Sequence, residues 1–464
     1  MSGTAMDAVL EAAGGADVHR RIGTVLRSSG DTVVATGVNF RPQELAFVDS
    51  VSGEPLAAQC SGSSGNETSL ALLDRGVVAV GSRVVGSGRT ATVPVGRGLL
   101  GRIVDGLGRP MDGGHELGWC RTVTVQAEPP HPLDREPIKA VLASGVRAID
   151  GLLTLGRGQR VGIFAGSGVG KSTLLGMLAR GTAADATVIA LIGERGREVR
   201  DFIEHDLGLD ALRNCIVVAS TGDNPAAMRL CAAHAATAIA EGLRDEGMDV
   251  VLLFDSLTRV AMAQREIGLA AGEPPATRGY PPSVFSLLPH LMERAGPAAH
   301  GSITALYTVL VDGDDMDEPI ADISRATLDG HIVLKRSLAS AGHYPPIDPL
   351  TSVSRLMSRV AGPDHLAAAN RIRALLAAYE ESRDLISIGA YVSGADAVTD
   401  RAIALLPLIN GFLRQRPEDV TGFDTAVERL LAIDPVPGGN GGFEEGEVID
   451  GTDAGTVEAT GEAP

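Results

Sequence analysis

The sequence predicts an α/β protein: a mainly parallel sheet covered by helices on both faces, preceded by a small β-barrel and followed by a helical region. Three observations carry this. Between Ile138 and about Arg355, apolar runs alternate with helical segments, as a sheet buried on both sides requires. A glycine-rich turn joins one of those runs to a helix. From Ile22 to about Val95, short runs rich in Val, Ala and Leu are separated by turn signals every few residues.

The elements follow in order. Residues 1–20 hold one short helical pattern, Ala5 to Ala13, before Gly14-Gly15. Residues 21–95 form the barrel unit, punctuated by Ser28-Ser-Gly-Asp31, Ser52-Gly53, Ser61-Gly-Ser-Ser-Gly-Asn66 and Gly86-Ser-Gly88. Residues 96–358 form the sheet unit. Its first part, 98–135, is rich in Gly and Pro and reads as a connection. Strands are expected at 160–165, 187–192, 215–219, 249–254 and 302–309, with helices at 172–180, 197–207, 225–245 and 256–267. Strand order is not readable from this pattern. Residues 359–434 carry periodic Leu, Ile and Ala and form a helical unit. Residues 435–464 are Gly-rich and acidic without apolar periodicity, and are expected to be a disordered tail.

Composition narrows the function. The 464 residues are 44% hydrophobic but only 3% aromatic, so the core is aliphatic and Ala-rich. The formal charge is −18; removing the seven acidic residues of the tail from that count leaves −11. An acidic body argues against a nucleic-acid track. Cys60, Cys120, Cys215 and Cys231 lie far apart, which suits a reducing cytoplasm rather than a disulfide or zinc framework. The start lacks a basic-then-apolar signal pattern, and no run of about 20 apolar residues is free of charge. Membrane contact is therefore expected to be peripheral.

The segment Arg160-Val-Gly-Ile-Phe-Ala-Gly-Ser-Gly-Val-Gly-Lys-Ser-Thr173 carries the chemistry. Val161 to Ala165 supply a strand. The turn Gly166, Ser167, Gly168, Val169 and Gly170 can bring backbone N–H groups onto an anion. The helix starting near Lys171 adds its positive dipole end. Lys171 can reach β- and γ-phosphates, and the Ser172 hydroxyl can ligate Mg²⁺. The strict pattern has Gly where this chain has Ala165. Asp249-Val-Val-Leu-Leu-Phe-Asp255 is a buried strand ending in a carboxylate suited to Mg²⁺ through its water shell. Leu191-Ile-Gly-Glu194-Arg195-Gly-Arg-Glu198 places Glu194 at the carboxyl end of the sheet, where a base can orient or deprotonate water. Taken alone, Glu194 also fits a solvated helix N-terminus.

Gly-Glu194-Arg195-x-Arg-Glu198, Leu100-Gly-Arg-Ile-Val-Asp-Gly-Leu-Gly-Arg-Pro110 and Gly145-Val-Arg-Ala-Ile-Asp150 resemble segments of rotary ATPase subunits. The sequence is still more similar to the type III protein-export ATPases. That likeness rests on Asp255-Ser-Leu-Thr-Arg259, Gln264-Arg-Glu-Ile-Gly268 and Gly272-Glu-Pro-Pro-Ala-Thr-Arg-Gly-Tyr-Pro-Pro-Ser-Val-Phe285. It rests equally on Glu318-Pro-Ile-Ala-Asp322, Leu328-Asp-Gly-His-Ile-Val333, Gly342-His-Tyr-Pro345 and Ile388-Gly-Ala-Tyr391, and it runs from about residue 20 to 433. Val169 and Ser172 resemble the flagellar branch; injectisome relatives more often show Cys and Thr there.

The resemblance implies a RecA-like P-loop core and a Mg²⁺-dependent ATPase that forms a homohexamer. It implies that Lys171 holds the β/γ-phosphates and that Glu194 acts on water. Arg195 and Arg259 would stand near the γ-phosphate. Ser172, Glu198 and Asp255 would serve the metal. Gly166 to Thr173 and Tyr344 would bind ATP, with Tyr344 stacked on adenine. Arg355, in Ser352-Val-Ser-Arg355, would act as an arginine finger toward a neighbouring subunit. The implied partners are a stator-like regulator, a central-stalk-like export component, export substrates with their chaperones, and a membrane export gate. The implied place is the cytoplasm, peripheral at the inner face of the cytoplasmic membrane.

Three departures stand out. Lys335 precedes Arg336 where the family usually has Ser, Val260 stands where an aromatic is common, and the segment that binds the regulator in the family is short. Two rival readings fit the residues less well. A non-catalytic rotary-ATPase subunit would lack the Glu that this chain has at 194. A hexameric RNA or DNA translocase would show a basic, aromatic-bearing barrel, whereas residues 22–95 hold only Phe40 and Phe47 as aromatics and no Lys.

Overall fold

The computed structural model describes residues 21–114, 117, 120–311 and 315–435. The expectations for residues 1–20 and for the tail beyond 435 lie outside them. Six antiparallel strands, Ile22–Ser29, Thr32–Thr36, Glu44–Asp49, Pro55–Ser64, Glu67–Leu72 and Arg83–Thr90, close into a barrel in the order first, second, fifth, fourth, third, sixth. Alternate residues point inward: Val33, Ala35, Val48, Leu70, Leu72 and Val84 form its core. Closure leaves no free sheet edge.

The barrel ends at Thr90. Thr92–Val95, expected at its end, pairs instead with Arg121–Thr124. Val93 and Val95 are fully buried against the Ala-rich helix Ala226–Asp245, which approaches so closely that a Cβ on Gly242 would lie 2.6 Å from Val95. The segment read as a connection also adds an edge strand, Ile103–Val104, to the main sheet.

That sheet has nine strands. The order is Val353–Ser354, Gly330–Leu334, Arg160–Ala165, Ser302–Leu310, Asp249–Asp255, Ala186–Ile192, Cys215–Ser220 and Ile103–Val104, with Gly296–Pro297 pairing beside Ser302–Leu310. Val353–Ser354 and Gly296–Pro297 run antiparallel; the other pairings are parallel. Successive residues bury on opposite faces. Val188, Ala190 and Ile192 join one core with the helices Ala226–Asp245, Leu257–Ala270 and Pro282–Glu293. Ile189 and Leu191 join the other, with the helix Lys171–Gly181. Burial on both faces explains why these strands read as unbroken apolar runs.

Three further helices, Pro363–Ser387, Ala397–Leu413 and Phe423–Ile433, close the second face around the short helix Arg147–Leu152. Arg147 is buried and donates to the carbonyl of Phe412 at 2.9 Å, while its backbone N–H donates to the Gln415 side chain at 2.8 Å. Asp150 accepts from the Ser144 amide and hydroxyl and the Gly145 amide, and burial pushes its carboxyl pKa up to about 6. The motif Gly145 to Asp150 thus ties the helical unit to the sheet. Leaving such a buried group unpaired costs about 1–3 kcal/mol.

Candidate active site

The strand order sets four loop ends side by side at the carboxyl edge of the sheet: the glycine turn after Ala165, the end of Ser302–Leu310, Asp255, and Glu194 after Ile192. Within the turn, Gly168 and Gly170 adopt φ of 74° and 105°, values that side-chain-bearing residues rarely take. Ala165 is buried with its methyl in the core, so the missing glycine there leaves the turn unaffected.

Lys171 is the centre. Its Nζ lies 2.5 Å from Asp255 Oδ1 and 3.2 Å from Glu194 Oε1. Burial works against the ammonium, but the Asp255 and Glu194 carboxylates outweigh it and hold its pKa above the ordinary lysine value. Asp255 also accepts from the Thr308 hydroxyl at 2.6 Å. Thr308 stands on the strand that separates Asp255 from the glycine turn, so it bridges the two halves of the site.

A cleft of about 730 Å³ opens here. It gathers most of the residues expected from sequence: Gly166, Ser167, Gly168, Gly170, Lys171, Ser172, Thr173, Glu194, Arg195, Glu198 and Arg259. Arg195 and Glu198 pair at 3.2 Å on its exposed rim. Arg259 has a buried Nε that meets no acceptor among the described residues. Thr173 shares a hydrogen bond with Asp206. Arg336, to which the sequence reading gave no role, donates to the Ser167 carbonyl at 3.2 Å and steadies the turn.

Three expected residues stand elsewhere. Val169 is 1% exposed and its side chain belongs to the core beneath the turn, so only its backbone can face a phosphate. Tyr344 lies beside Gly170, over a second hollow lined by Gly342, Arg414, Gln415, Arg416, Pro417 and Asp419. Arg355 is exposed, outside the cleft, and donates to the Arg325 carbonyl at 3.2 Å.

The cleft also contains residues to which sequence reasoning gave no role. Arg265 lies over the Tyr280 ring at 5.6 Å, and Arg278 pairs with Asp315 at 2.9 Å. Glu318 caps the helix Pro319–Thr327 by accepting from the amides of Ile320 and Ala321; burial pushes its pKa up against the pull of those donors. All four sit inside the segments Gln264–Gly268, Gly272–Phe285 and Glu318–Asp322, so the signal was present without an assignment. Thr308 lies in an ordinary apolar strand and left none.

Five cations, Lys171, Arg195, Arg259, Arg265 and Arg278, meet in one cleft of an acidic protein, a match for a polyphosphate. Among the described residues no three His, Cys, Asp or Glu side chains form a ready-made metal cage. The donors at hand are a hydroxyl, Ser172, and the carboxylates Asp255 and Glu198. Hard oxygen donors of this kind suit Mg²⁺, which keeps much of its water and binds through one or two protein groups plus phosphate.

Residues 145–354 match the nucleotide-binding domain of the ATP synthase alpha/beta family. The fold and cleft therefore define an ATPase. Residues 361–432 match the EscN-type C-terminal domain of type III secretion ATPases. The chain is 49% identical to the flagellum-specific ATP synthase of Bacillus subtilis (strain 168) over 420 residues, covering 90% of this chain and 96% of that protein. It also matches the assembled ATPase EscN of the enteropathogenic E. coli type III secretion system, with a TM-score of 0.83 at 44% identity, covering 89% of this chain and 99% of that one. EscN in complex with its central stalk EscO matches at a TM-score of 0.82 and 44% identity, with the same coverage. The chain belongs to the family of flagellar and type III secretion ATPases.

Proposed function

We propose that this protein hydrolyses MgATP to energise or assist protein export by a flagellar-type (type III) secretion system, including release or unfolding of export substrates held by chaperones. The observation that carries the chemistry is the position of Lys171, in contact with both Glu194 and Asp255 at the mouth of the glycine turn. On ATP binding Lys171 exchanges these carboxylates for the β/γ-phosphates. The turn's amides and the start of the helix Lys171–Gly181 hold the remaining phosphate oxygens. Glu194, freed from the ammonium, orients and deprotonates the attacking water. Arg195 and Arg259 face the charge that develops on the γ-phosphate. Ser172, Asp255 and Glu198 would hold Mg²⁺, which would supply positive charge to neutralise the phosphates. Tyr344 stacks on adenine beside Gly170.

The same reading places the protein in a homohexameric ring. Arg355 lies outside its own cleft on an exposed segment, as a finger that completes a neighbour's site must. A ring of identical subunits completes every site in this way. A central-stalk-like component would occupy its axis, as the relative solved with its stalk suggests. Where the helices Pro363–Ser387 and Ala397–Leu413 join, Leu385, Ile388, Val392 and Val398 are exposed, Ile388 at 75%. An apolar tip of this kind supports docking of the stalk or of chaperone-borne substrates. Among the described residues no helix is long and apolar enough to cross a membrane. Contact with the export gate would then be peripheral, from the cytoplasmic side.

Glu194→Gln tests the chemistry. The variant should bind ATP as the parent does and turn over at least about 100-fold more slowly, the scale of losing a general base. Loss of binding in step with activity would make Glu194 structural.

A further inference from the structure

The Glu194 carboxylate can act only if its backbone is held, and that hold comes from outside its own strand. The Gly193 amide donates to the Ser220 carbonyl at 2.7 Å, and the Glu194 carbonyl accepts from the Gly222 amide at 2.9 Å. Residues 220–224, after the neighbouring strand, thus cradle the Gly193–Glu194 peptide. The other side is closed by Arg259: a Cβ on Gly193 would meet the stem of that side chain at 2.8–3.3 Å. On the cradle side, a Cβ on Gly222 would lie 2.8 Å from the Gly193 carbonyl oxygen, closer than real Cβ contacts come. The obstacle is backbone, so it cannot rotate away. Gly222 itself lies outside the left-handed region, so its conformation would accept a side chain; only the space forbids one.

The cradle is braced at its far end. The Asn224 amide donates to the Thr221 carbonyl at 3.0 Å, and the Asn224 side chain donates to the Ser220 hydroxyl at 3.3 Å. Arg229 donates to the Asn224 carbonyl at 3.2 Å. Asp223 pairs with Arg75, from the segment that follows the barrel's fifth strand. Gly222 does not line the cleft.

We propose that Gly222 is a positioning residue for the hydrolytic step: its missing side chain lets residues 220–224 close on the Gly193–Glu194 peptide and fix where the carboxylate stands. This rests on the reading of Glu194 as the group that acts on water. Adding one methyl at 222 displaces that peptide by several tenths of an ångström while leaving the phosphate-binding turn untouched. A base-dependent step is sensitive to such displacement; about 1 Å costs on the order of 100-fold.

The test is a double-mutant cycle on the full chain. Single-turnover hydrolysis of MgATP and equilibrium binding of ATP are measured for the parent, Gly222→Ala, Glu194→Gln and the double variant. Gly222→Ala should lower the hydrolysis rate about 10-fold, with ATP affinity unchanged, and should have no further effect once Glu194 is Gln. An equal rate loss in both backgrounds, a matching loss of affinity, or a parental rate in folded Gly222→Ala overturns the proposal. If Glu194→Gln itself keeps the parental rate, the reading of Glu194 fails, visibly and separately, and the proposal with it. Should Gly222→Ala fail to fold, Asn224→Ala, which removes only the brace to Ser220, carries the same cycle with a smaller rate loss, and additivity again refutes it.

Discussion

Replacing Lys171 with Ala removes one ammonium from between two carboxylates, and both consequences can be worked from the structure. The side chains of Asp255 and Glu194 are 5% and 12% exposed, and Lys171 touches both. Removing one partner of a buried ion pair typically costs 3–5 kcal/mol, because the other charge stays buried without compensation. The cleft admits water to Glu194, which puts the loss at the lower end, about 3 kcal/mol. For a domain of this size that is roughly 6–12 °C in Tm. The pH dependence has a definite sign. Lys171 has a raised folded-state pKa, so its stabilisation is fully present below the unfolded lysine value, about 10.4, and is lost as pH rises through the folded value. The gap between parent and variant should therefore be flat from about pH 7 to 9 and narrow above about 10.4. The assay is thermal unfolding without nucleotide, paired with MgATP turnover on the same preparations. A variant as stable as the parent would refute the electrostatic account, and normal turnover by folded Lys171→Ala would refute the site assignment.

Two further outcomes test the ring and the base site. Arg355→Ala should bind ATP with near-parental affinity yet hydrolyse about 10³-fold more slowly, since a finger meets charge that develops during reaction; mixing it with Lys171→Ala under subunit exchange should restore part of the activity, and exchange without recovery removes support for action in trans. Tyr344→Phe should keep the parental KM for ATP, whereas Tyr344→Ala should raise it roughly 10-fold, about the worth of one stacking contact; equal KM values for all three proteins would separate the ring from the base.

The barrel, the parallel sheet and the helical unit were legible because each leaves a local trace: alternation with turn signals, apolar runs between helices, and periodic Leu, Ile and Ala. The elements that sequence placed elsewhere or did not mark have other causes. Thr92–Val95 alternates like a barrel strand, and only the Ala-rich helix lying over Val93 and Val95 draws it into a separate ribbon. Ile103–Val104 is two residues long, below the reach of any periodicity. The helix Pro282–Glu293 contains Pro289 and follows a Pro-rich stretch, so breaker residues masked it.

By itself the sequence singled out the side chains proposed for the chemistry: the glycine turn with Lys171 and Ser172, and the carboxylates Asp255 and Glu194, each at the end of one apolar run. Strand, turn and helix start lie within 14 residues, and their interactions are set by neighbours along the chain. Only the tertiary structure decided which of these groups meet. Ser302–Leu310 inserts between the phosphate-loop strand and Asp249–Asp255, so Thr308 reaches Asp255 and both carboxylates converge on Lys171. It likewise brought Arg265, Arg278, Tyr280 and Glu318 to the cleft, sent Val169 into the core, and left Arg355 outside. The reason is physical. Periodicity reports that a face is buried but not against what, and contacts between residues 23 to 84 positions apart depend on a strand order that is settled by packing across the whole sheet.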